Sequence, residues 1–384
     1  MLNHLISILF LFISFSPLLA QPIFRESGFE EVVSLAEQKD KLVYVFAVRS
    51  WCVPCDEMEA TVFSDSSVSD VINQNFIPLK QNIETPFGSK FAMKYRVKRA
   101  PEHLFFNSKG QLIRRFSGRL DSDSFLDLAN LTFDSAAVYK PIGDPMNFDL
   151  DFPKWYIDFH NPTDERVFPS DSQIKSFLAS RDSITDEVSW AVIYTLPTPE
   201  EYTGKIIESK EVLSERYGRD EVLEKLSSFV YQDVKKAIKN QSESILYESL
   251  RKANRLLGDD AETYKIRYQL YYYQMTGNWN VYADLGAELA RNTALRNDNW
   301  LNDIATNLYQ NTTNTEALTK AANWMKHVID STPTYSYQST AAMIEYQLQN
   351  KDKALELAKK AIKSAANSGE DSTEMKNLVS RIED

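Results

Sequence analysis

The motif of residues 51–55, Trp-Cys-Val-Pro-Cys, is the feature that most constrains this chain. It holds the only two cysteines among 384 residues, so no framework of several disulfides can hold the fold together. An apolar, β-branched run of strand length (residues 42–48) precedes the motif, and a helical stretch (residues 56–60) follows it. The pattern therefore places Cys52 at the amino-terminal end of a helix.

That position suits cysteine chemistry. The partial positive charge of unpaired backbone donors at a helix start favours a thiolate over a thiol. Two intervening residues place the second thiol one helical turn further on, close enough to attack a mixed disulfide on the first. Two alternatives remain. A zinc site would need further ligands, but the four histidines are scattered. A structural disulfide closing so short a loop would restrict little unfolded-state entropy.

Here the chain resembles the thioredoxin family. The motif matches that family's Trp-Cys-Gly-Pro-Cys, with Val53 in place of glycine. Residues 58–65 and Val68 are similar to the subgroup of thiol:disulfide interchange proteins. Ala100-Pro101 falls where the family has its cis-proline, and Gly118 where it has a turn glycine. The resemblance covers about residues 24–130.

The resemblance implies a four- or five-stranded sheet flanked by helices, and dithiol–disulfide exchange with protein substrates. It implies that Cys52 is the exposed nucleophile and Cys55 the buried resolving thiol. It also implies that Pro101 is cis and, with Ala100, offers backbone to an extended substrate segment. No cofactor is expected beyond a redox-active Cys52–Cys55 disulfide.

The neighbours of the cysteines carry further expectations. Trp51 is expected to shield one flank of the site. Pro54 is typical of reducing family members, whereas Val53 is not, so the direction of exchange stays open. Many thioredoxins place a buried carboxylate six residues before the first cysteine; that position is Phe46 here, so proton transfer must use water or another group.

Four cations lie near the motif or the predicted cis-proline in sequence: Arg49, Arg96, Lys98 and Arg99. If they cluster in space, they favour the Cys52 thiolate and attract an acidic substrate segment. The alternative is a solvated loop. Glu57 and Glu59 are predicted to be surface residues of the helix.

Three zones separate along the chain after a leader. Residues 21–135 are predicted to form the α/β domain, with helices over 67–75, 89–95 and 122–130 and strands over 104–106 and 112–116. Residues 136–169 hold five of the 14 prolines and are predicted to be a connector. Residues 170–384 are predicted to be helical, with Gly218, Gly258 and Gly277 as helix stops and starts at Asp259-Asp260 and Thr332-Pro333.

The helical zone contains a repeat. Small residues recur at matching spacing in three triplets, whose first alanines lie about 34 and 37 residues apart: Ala283, Ala287 and Ala290; Ala317, Ala321 and Trp324; Ala354, Ala358 and Ala361. This resembles the tetratricopeptide repeat over roughly residues 259–366. The fold class is thus an α/β thioredoxin fold followed by an all-α helical-repeat domain; the alternative for the second part is an irregular helical bundle.

The amino terminus resembles an export signal. An apolar run over residues 5–15 is too short to span a membrane, and Ala20 is a small residue where a signal peptidase could cut. The alternative is a buried helix or an uncleaved anchor. No later stretch reaches about 18 apolar residues, so no membrane span is expected in the mature chain.

Charge excludes one class of partner. The net charge is −11, which disfavours a nucleic-acid backbone. From the resemblance and the apparent export signal, we expect a periplasmic or secreted protein-disulfide oxidoreductase. It would need an external electron donor, and its helical domain would bind a protein partner. The alternative is a non-enzymatic helical adaptor with a thioredoxin-like platform.

Overall fold

A computed structural model describes residues 24–25, 27–161, 167–368 and 370–384. The predicted signal segment 1–20 lies outside the described residues. Within them, no helix is long and apolar enough to cross a membrane. The strands are β1 (Leu42–Val48), β2 (Phe76–Asn82), β3 (Glu102–Phe106) and β4 (Leu112–Ser117). The helices of the first half are α1 (Phe29–Lys39), α2 (Val53–Thr61), α3 (Ser66–Asn75), α4 (Pro86–Tyr95), α5 (Ser122–Asp134), α6 (Lys154–His160), α7 (Asp171–Ala179), α8 (Glu187–Thr195), α9 (Tyr202–Glu208) and α10 (Lys210–Tyr217).

The second half is built from helices alone among its described residues. They are α11 (Arg219–Lys239), α12 (Glu243–Leu257), α13 (Ala261–Thr276), α14 (Trp279–Arg291), α15 (Asp298–Asn311), α16 (Thr315–Ser331), α17 (Tyr335–Gln347), α18 (Lys351–Ser368) and α19 (Thr373–Glu383), with a 3-10 turn at Gly258–Asp260.

The four strands form one sheet in the order β2-β1-β3-β4. Strand β1 pairs in parallel with β2 and antiparallel with β3, and β3 pairs antiparallel with β4. The parallel pair needs a crossover, which α2 and α3 supply. Because β1 lies inside the sheet with both faces covered, its sequence reads as a continuous apolar run rather than an alternating one. The α/β fold with a closing hairpin is confirmed.

Side chains from alternate positions of β1 divide the core into two layers. Val43, Val45 and Ala47 pack with α1 and α4 on one face. Tyr44, Phe46 and Val48 pack with α2, α3 and α5 on the other face, in the cluster that contains both cysteines. The register of β1 therefore decides which side chains underlie the cysteine pair.

The proline-rich connector is not simply extended chain. It contains α6, in which Tyr156 and Phe159 are buried. Its helix starts directly after Pro153, a position where the missing backbone N–H costs nothing. Phe168, by contrast, is 60% exposed.

The chain divides into two compact units, the first ending at Val222 and the second spanning Leu223–Asp384. The division thus falls later than the predicted start of the helical domain at residue 170. Buried ion pairs explain why residues 187–221 pack with the α/β domain. The Lys94 ammonium lies 2.7 Å from Glu187, and the Arg96 guanidinium lies 2.5 Å from Glu221.

The second unit contains the predicted helical repeat. Gly258 and Gly277 follow α12 and α13 with positive φ, as expected of helix stops, and in the first unit Gly218 follows α10 in the same way. The predicted starts are also close, since Ala261 and Tyr335 open α13 and α17. The alanine triplets lie on α14, α16 and α18, the second helix of each successive pair.

The three triplets are not buried to the same extent. The triplets of α16 and α18 are fully buried or nearly so, but on α14 only Ala283 is, while Ala287 and Ala290 are half-buried. Gly286 provides the close approach on that helix instead: a Cβ there would lie 2.8 Å from the Trp324 ring. Hydrogen bonds 34 residues apart join α15 to α17, from Asn302 to Ser336 and between Thr306 and Thr340.

Candidate active site

The two cysteines form a disulfide at the start of α2. Cys52 is the residue that precedes the helix, and its carbonyl accepts hydrogen bonds from the backbone N–H groups of Cys55 and Asp56 at 2.9 and 3.0 Å. Pro54 occupies the first turn, where a missing N–H is tolerated. The pair therefore lies where unpaired backbone donors of the helix favour a thiolate on Cys52 in the reduced state.

Cys52 is more covered than expected. Cys55 is 2% exposed, as a buried resolving thiol should be, but Cys52 is only 7% exposed. The expectation of an exposed Cys52 therefore does not hold in this disulfide form. Cys52 belongs to the same apolar cluster as Phe46, and Ala100 packs against this cluster.

Trp51 does not shield the pair. Its backbone adopts φ of 59°, and its side chain is 99% exposed. The left-handed backbone is unusual for a tryptophan and directs the ring into solvent. Val53, between the cysteines, is also 64% exposed. Together Trp51 and Val53 form an exposed apolar surface beside the disulfide.

The Ala100-Pro101 peptide bond is cis, as predicted. Pro101 is buried, and half-buried Ala100 packs in the cluster that holds both cysteines. The Pro101 carbonyl accepts a hydrogen bond from the N–H of Gly118 at 2.9 Å. Gly118 has φ of 114°, a conformation that favours glycine, so the predicted turn glycine holds the cis-proline segment.

The predicted cluster of cations does not form as a group. Arg96 is 1% exposed and pairs with Glu221, while the Lys98 ammonium lies 3.6 Å from the centre of the Tyr194 ring. Arg49 lies near this loop, donating to the Lys98 carbonyl at 3.4 Å. Arg99 is exposed. The expectation fails for Arg96, because a buried guanidinium needs a carboxylate partner and Glu221 supplies it.

The helix carboxylates are surface residues, as predicted. Glu57 lies 3.2 Å from Arg119, and Glu59 lies 2.5 Å from Lys80, each about half-exposed or somewhat less. Phe46 is fully buried in the cysteine cluster, so the position that carries a carboxylate in many thioredoxins is apolar here.

Sequence reasoning missed one buried group beneath the site, His103. It lies on β3 directly opposite Phe46 and is fully buried. Its Nδ1 lies 2.8 Å from the Tyr44 hydroxyl, and its Nε2 lies 3.1 Å from the Gly118 carbonyl. Burial lowers the pKa of His103 to about 4, so the ring is neutral at pH 7. Burial also raises the pKa of Tyr44, which keeps its hydroxyl protonated. The signal for His103 was its position two residues after the predicted cis-proline.

Comparisons with known proteins agree with this geometry. Residues 29–132 match the family model described as a thioredoxin-like domain. This part of the chain is a thioredoxin-like domain. Over 96 residues the chain is 30% identical to the thiol:disulfide interchange protein DsbD of Haemophilus influenzae strain PittEE, a match that covers 24% of this chain and 16% of that protein. The chain thus spans about a sixth of the length of the curated relatives it matches.

Solved structures are similar over the same part of the chain. A proposed disulphide-isomerase from Bacteroides thetaiotaomicron is 38% identical, with 30% of this chain and 97% of that one covered and a TM-score of 0.29. A thioredoxin from Thermus thermophilus is 24% identical, with 30% and 92% covered and a TM-score of 0.28.

Proposed function

We propose that this protein is a protein-disulfide oxidoreductase that exchanges disulfides with protein substrates through Cys52 and Cys55. The observation that carries the proposal is the disulfide between them at the start of α2, in a thioredoxin-like domain. A bond that closes only a short loop adds little stability, so its formation and cleavage suit a redox role better than a structural one.

The reaction proceeds in two displacements. In the reduced protein the Cys52 thiolate attacks a substrate disulfide, forming a mixed disulfide and releasing one substrate sulfur as a thiolate that takes up a proton. The Cys55 thiolate then attacks the Cys52 sulfur, forming the Cys52–Cys55 disulfide and releasing the second substrate thiolate. The substrate gains two electrons and the cysteine pair loses two, so an external electron donor must reduce the pair again. No further cofactor is required.

Neighbouring residues are assigned to substrate binding. The backbone at Ala100 and Pro101 is proposed to bind an extended substrate segment. The exposed side chains of Trp51 and Val53 offer apolar contact on the flank of the disulfide. Exposed Arg99 would favour acidic substrate residues beside the cis-proline.

The test is turnover of insulin disulfides with dithiothreitol as the electron donor. The wild-type protein should accelerate insulin reduction over dithiothreitol alone, and Cys52→Ser should abolish the acceleration. Glu59→Gln, which changes a surface residue of the same helix and keeps both thiols, serves as the matched control and should stay active. If the wild type adds nothing to dithiothreitol, the oxidoreductase proposal is wrong and the adaptor alternative is favoured.

We also propose that the second unit is a tetratricopeptide-like domain that binds a protein partner. Its successive helix pairs and the hydrogen bonds joining residues 34 apart support this. Cys55→Ala should trap substrates as mixed disulfides on Cys52. Reduction should then release simple substrates, whereas a partner held by the helical domain should stay bound.

Export is proposed from the apolar residues 5–15 and the small residue Ala20. Expression of the full chain with a carboxy-terminal tag should yield an exported product whose first residue is Gln21. A retained product that begins at Met1 would contradict export.

A further inference from the structure

His103 is buried, and its ring is linked to the substrate-facing part of the site only through other residues. Strand pairing puts it opposite Phe46 on β1 and Phe116 on β4. Its ring points to the sheet face that carries the cysteine cluster, since Phe46 lies in that cluster and contacts the ring at a centroid distance of 5.6 Å. Tyr44 and Phe125 cover it further, with ring centroids 6.0 and 5.8 Å away.

The hydrogen bonds of His103 fix which nitrogen carries the proton. The Gly118 carbonyl can only accept, so Nε2 must be the protonated nitrogen and must donate to it. In the neutral ring Nδ1 is then an acceptor, and the Tyr44 hydroxyl donates to it. Both nitrogens are thereby used, and neither is left to take a proton from a thiol.

Gly118 connects His103 to the cis-proline. Its carbonyl accepts from His103, while its N–H donates to the Pro101 carbonyl. Its positive φ lets one residue present both groups in these directions. If the His103 donor is lost, the Gly118 carbonyl has no partner. The Gly118 backbone is then less constrained, and its N–H is held less firmly toward the Pro101 carbonyl.

We propose that His103 is a positioning residue for substrate binding: through Gly118 it fixes the Ala100-Pro101 segment against which a protein substrate docks. The proposal rests on the proposed disulfide exchange. It assigns His103 no contact with the substrate and no part in proton transfer. Its loss should therefore weaken docking of a protein substrate and leave reaction with a small disulfide unchanged.

The test compares His103→Leu with His103→Gln in the full-length protein. Glutamine can return an N–H donor close to the position of Nε2, whereas leucine cannot. His103→Leu should raise KM for insulin about fivefold, the effect of one lost hydrogen bond, with kcat nearly unchanged. His103→Gln should stay within about twofold of wild type. The rate with the small disulfide 5,5′-dithiobis(2-nitrobenzoic acid) should be the same for all three proteins.

Tyr44→Phe is the matched control for general damage. It removes the partner of Nδ1 and so destabilises the same buried region, but it keeps the donor to Gly118. It should lower thermal stability without raising KM for insulin. A Tyr44→Phe protein with the same KM defect as His103→Leu would overturn the proposal, and so would a His103→Leu protein with unchanged KM.

A second measurement does not need activity. Hydrogen exchange of the Gly118 amide reports its bond to Pro101 directly. Exchange should be about fivefold or more faster in His103→Leu and near wild type in His103→Gln. Unchanged exchange in His103→Leu would refute the positioning role, even if the wild type reduces no disulfide. If instead the exchange pattern is as expected but the wild type reacts with neither insulin nor the small disulfide, only the proposed activity would be refuted.

Discussion

The two compact units of this protein differ in the side chains that pack their interiors. The first unit buries charged side chains in pairs, and Lys94, Arg96, Glu102, Glu187 and Glu221 are each at most 7% exposed. Among its described residues the second unit buries fewer charges, namely Lys225 at 4% and Glu345 at 6% exposed, and it packs its helices closely through small residues. The alanines of α18 that face its neighbours are fully buried. The first arrangement needs specific partners far apart in sequence, whereas the second needs only a repeated pattern. The first unit should therefore be more sensitive to loss of a single charge.

The largest effect is expected from Glu221→Gln. Glu221 accepts from Arg96 at 2.5 Å, from Arg115 at 3.0 Å and from the Trp190 indole at 2.6 Å. Removing its charge leaves the buried Arg96 guanidinium without its carboxylate partner, while Arg115 keeps Glu102. This should destabilise the first unit by about 3–5 kcal/mol. Hydrogen exchange measured peptide by peptide should become faster across β1, β3 and α8.

Glu316→Gln is the control in the second unit. Glu316 pairs with Lys320 at 3.0 Å, but its side chain is 64% exposed, so water can replace the interaction. Exchange across α16 should barely change. If the two substitutions had equal effects, the contrast between the units in their dependence on charge would be lost.

Acidification should act on the first unit through His103. Because burial lowers the pKa of His103 to about 4, the unfolded chain binds a proton near pH 6.5 that the folded chain binds only near pH 4. The neutral ring thus contributes stability that is present above pH 6.5 and is lost as the pH falls toward 4, by about 3 kcal/mol. Urea unfolding across this range, followed in the first unit, should show the loss.

His103→Gln tests whether His103 causes this loss of stability on acidification. Glutamine does not titrate, so the variant should be less sensitive to pH between 6.5 and 4 than the wild type. If the stability of His103→Gln fell between pH 6.5 and 4 as much as that of the wild type, other groups would govern the response to acid.

The sequence predicted what depends on local pattern. Strand β1 begins and ends with its apolar run, and the cysteine motif was identified from a short stretch of chain. The cis Ala100-Pro101 bond was expected from the family resemblance. Strand β2 was not singled out, because Pro78 and Lys80 interrupt a strand pattern. Its place at the sheet edge explains how proline is tolerated there.

What the sequence could not predict depends on partners brought together by folding. Arg96 was grouped with the cations that would favour the Cys52 thiolate if they cluster, because it lies near Pro101 in sequence, yet its partner Glu221 is 125 residues away. His103 was treated only as a scattered histidine. Its importance follows from strand register, which places it opposite Phe46, and from Gly118, 15 residues further on. Neither relation is visible as a motif.

A smaller effect is expected from Gly286→Ala in the second unit. A Cβ at this position would lie 2.8 Å from the Trp324 ring and 3.1 Å from Ile304. The ring is 3% exposed, and its indole N–H donates to the Leu301 carbonyl at 3.3 Å, so it cannot move aside freely. Crowding should outweigh the better helix propensity of alanine, for a net loss of about 1–2 kcal/mol. Faster exchange across α14 and α16 would show it, and unchanged or slower exchange would mean that the packing there is loose.

The smallest effect should have the opposite sign. Gly204 lies inside α9 of the first unit, and a Cβ there would meet no atom within 4 Å. Gly204→Ala should therefore gain about 0.5–1 kcal/mol, since alanine restricts the unfolded chain and costs nothing in packing. Urea unfolding should show a higher midpoint for the first unit. The same substitution would then have opposite signs at the two sites, because Gly286 makes room for a neighbouring ring whereas Gly204 faces open space. Gly88 on α4 shows that the first unit also contains a close approach, since a Cβ there would overlap the Asn82 carbonyl. A destabilised Gly204→Ala protein would show that α9 also needs a glycine for close packing with a neighbour. The two units would then differ only in their buried charges.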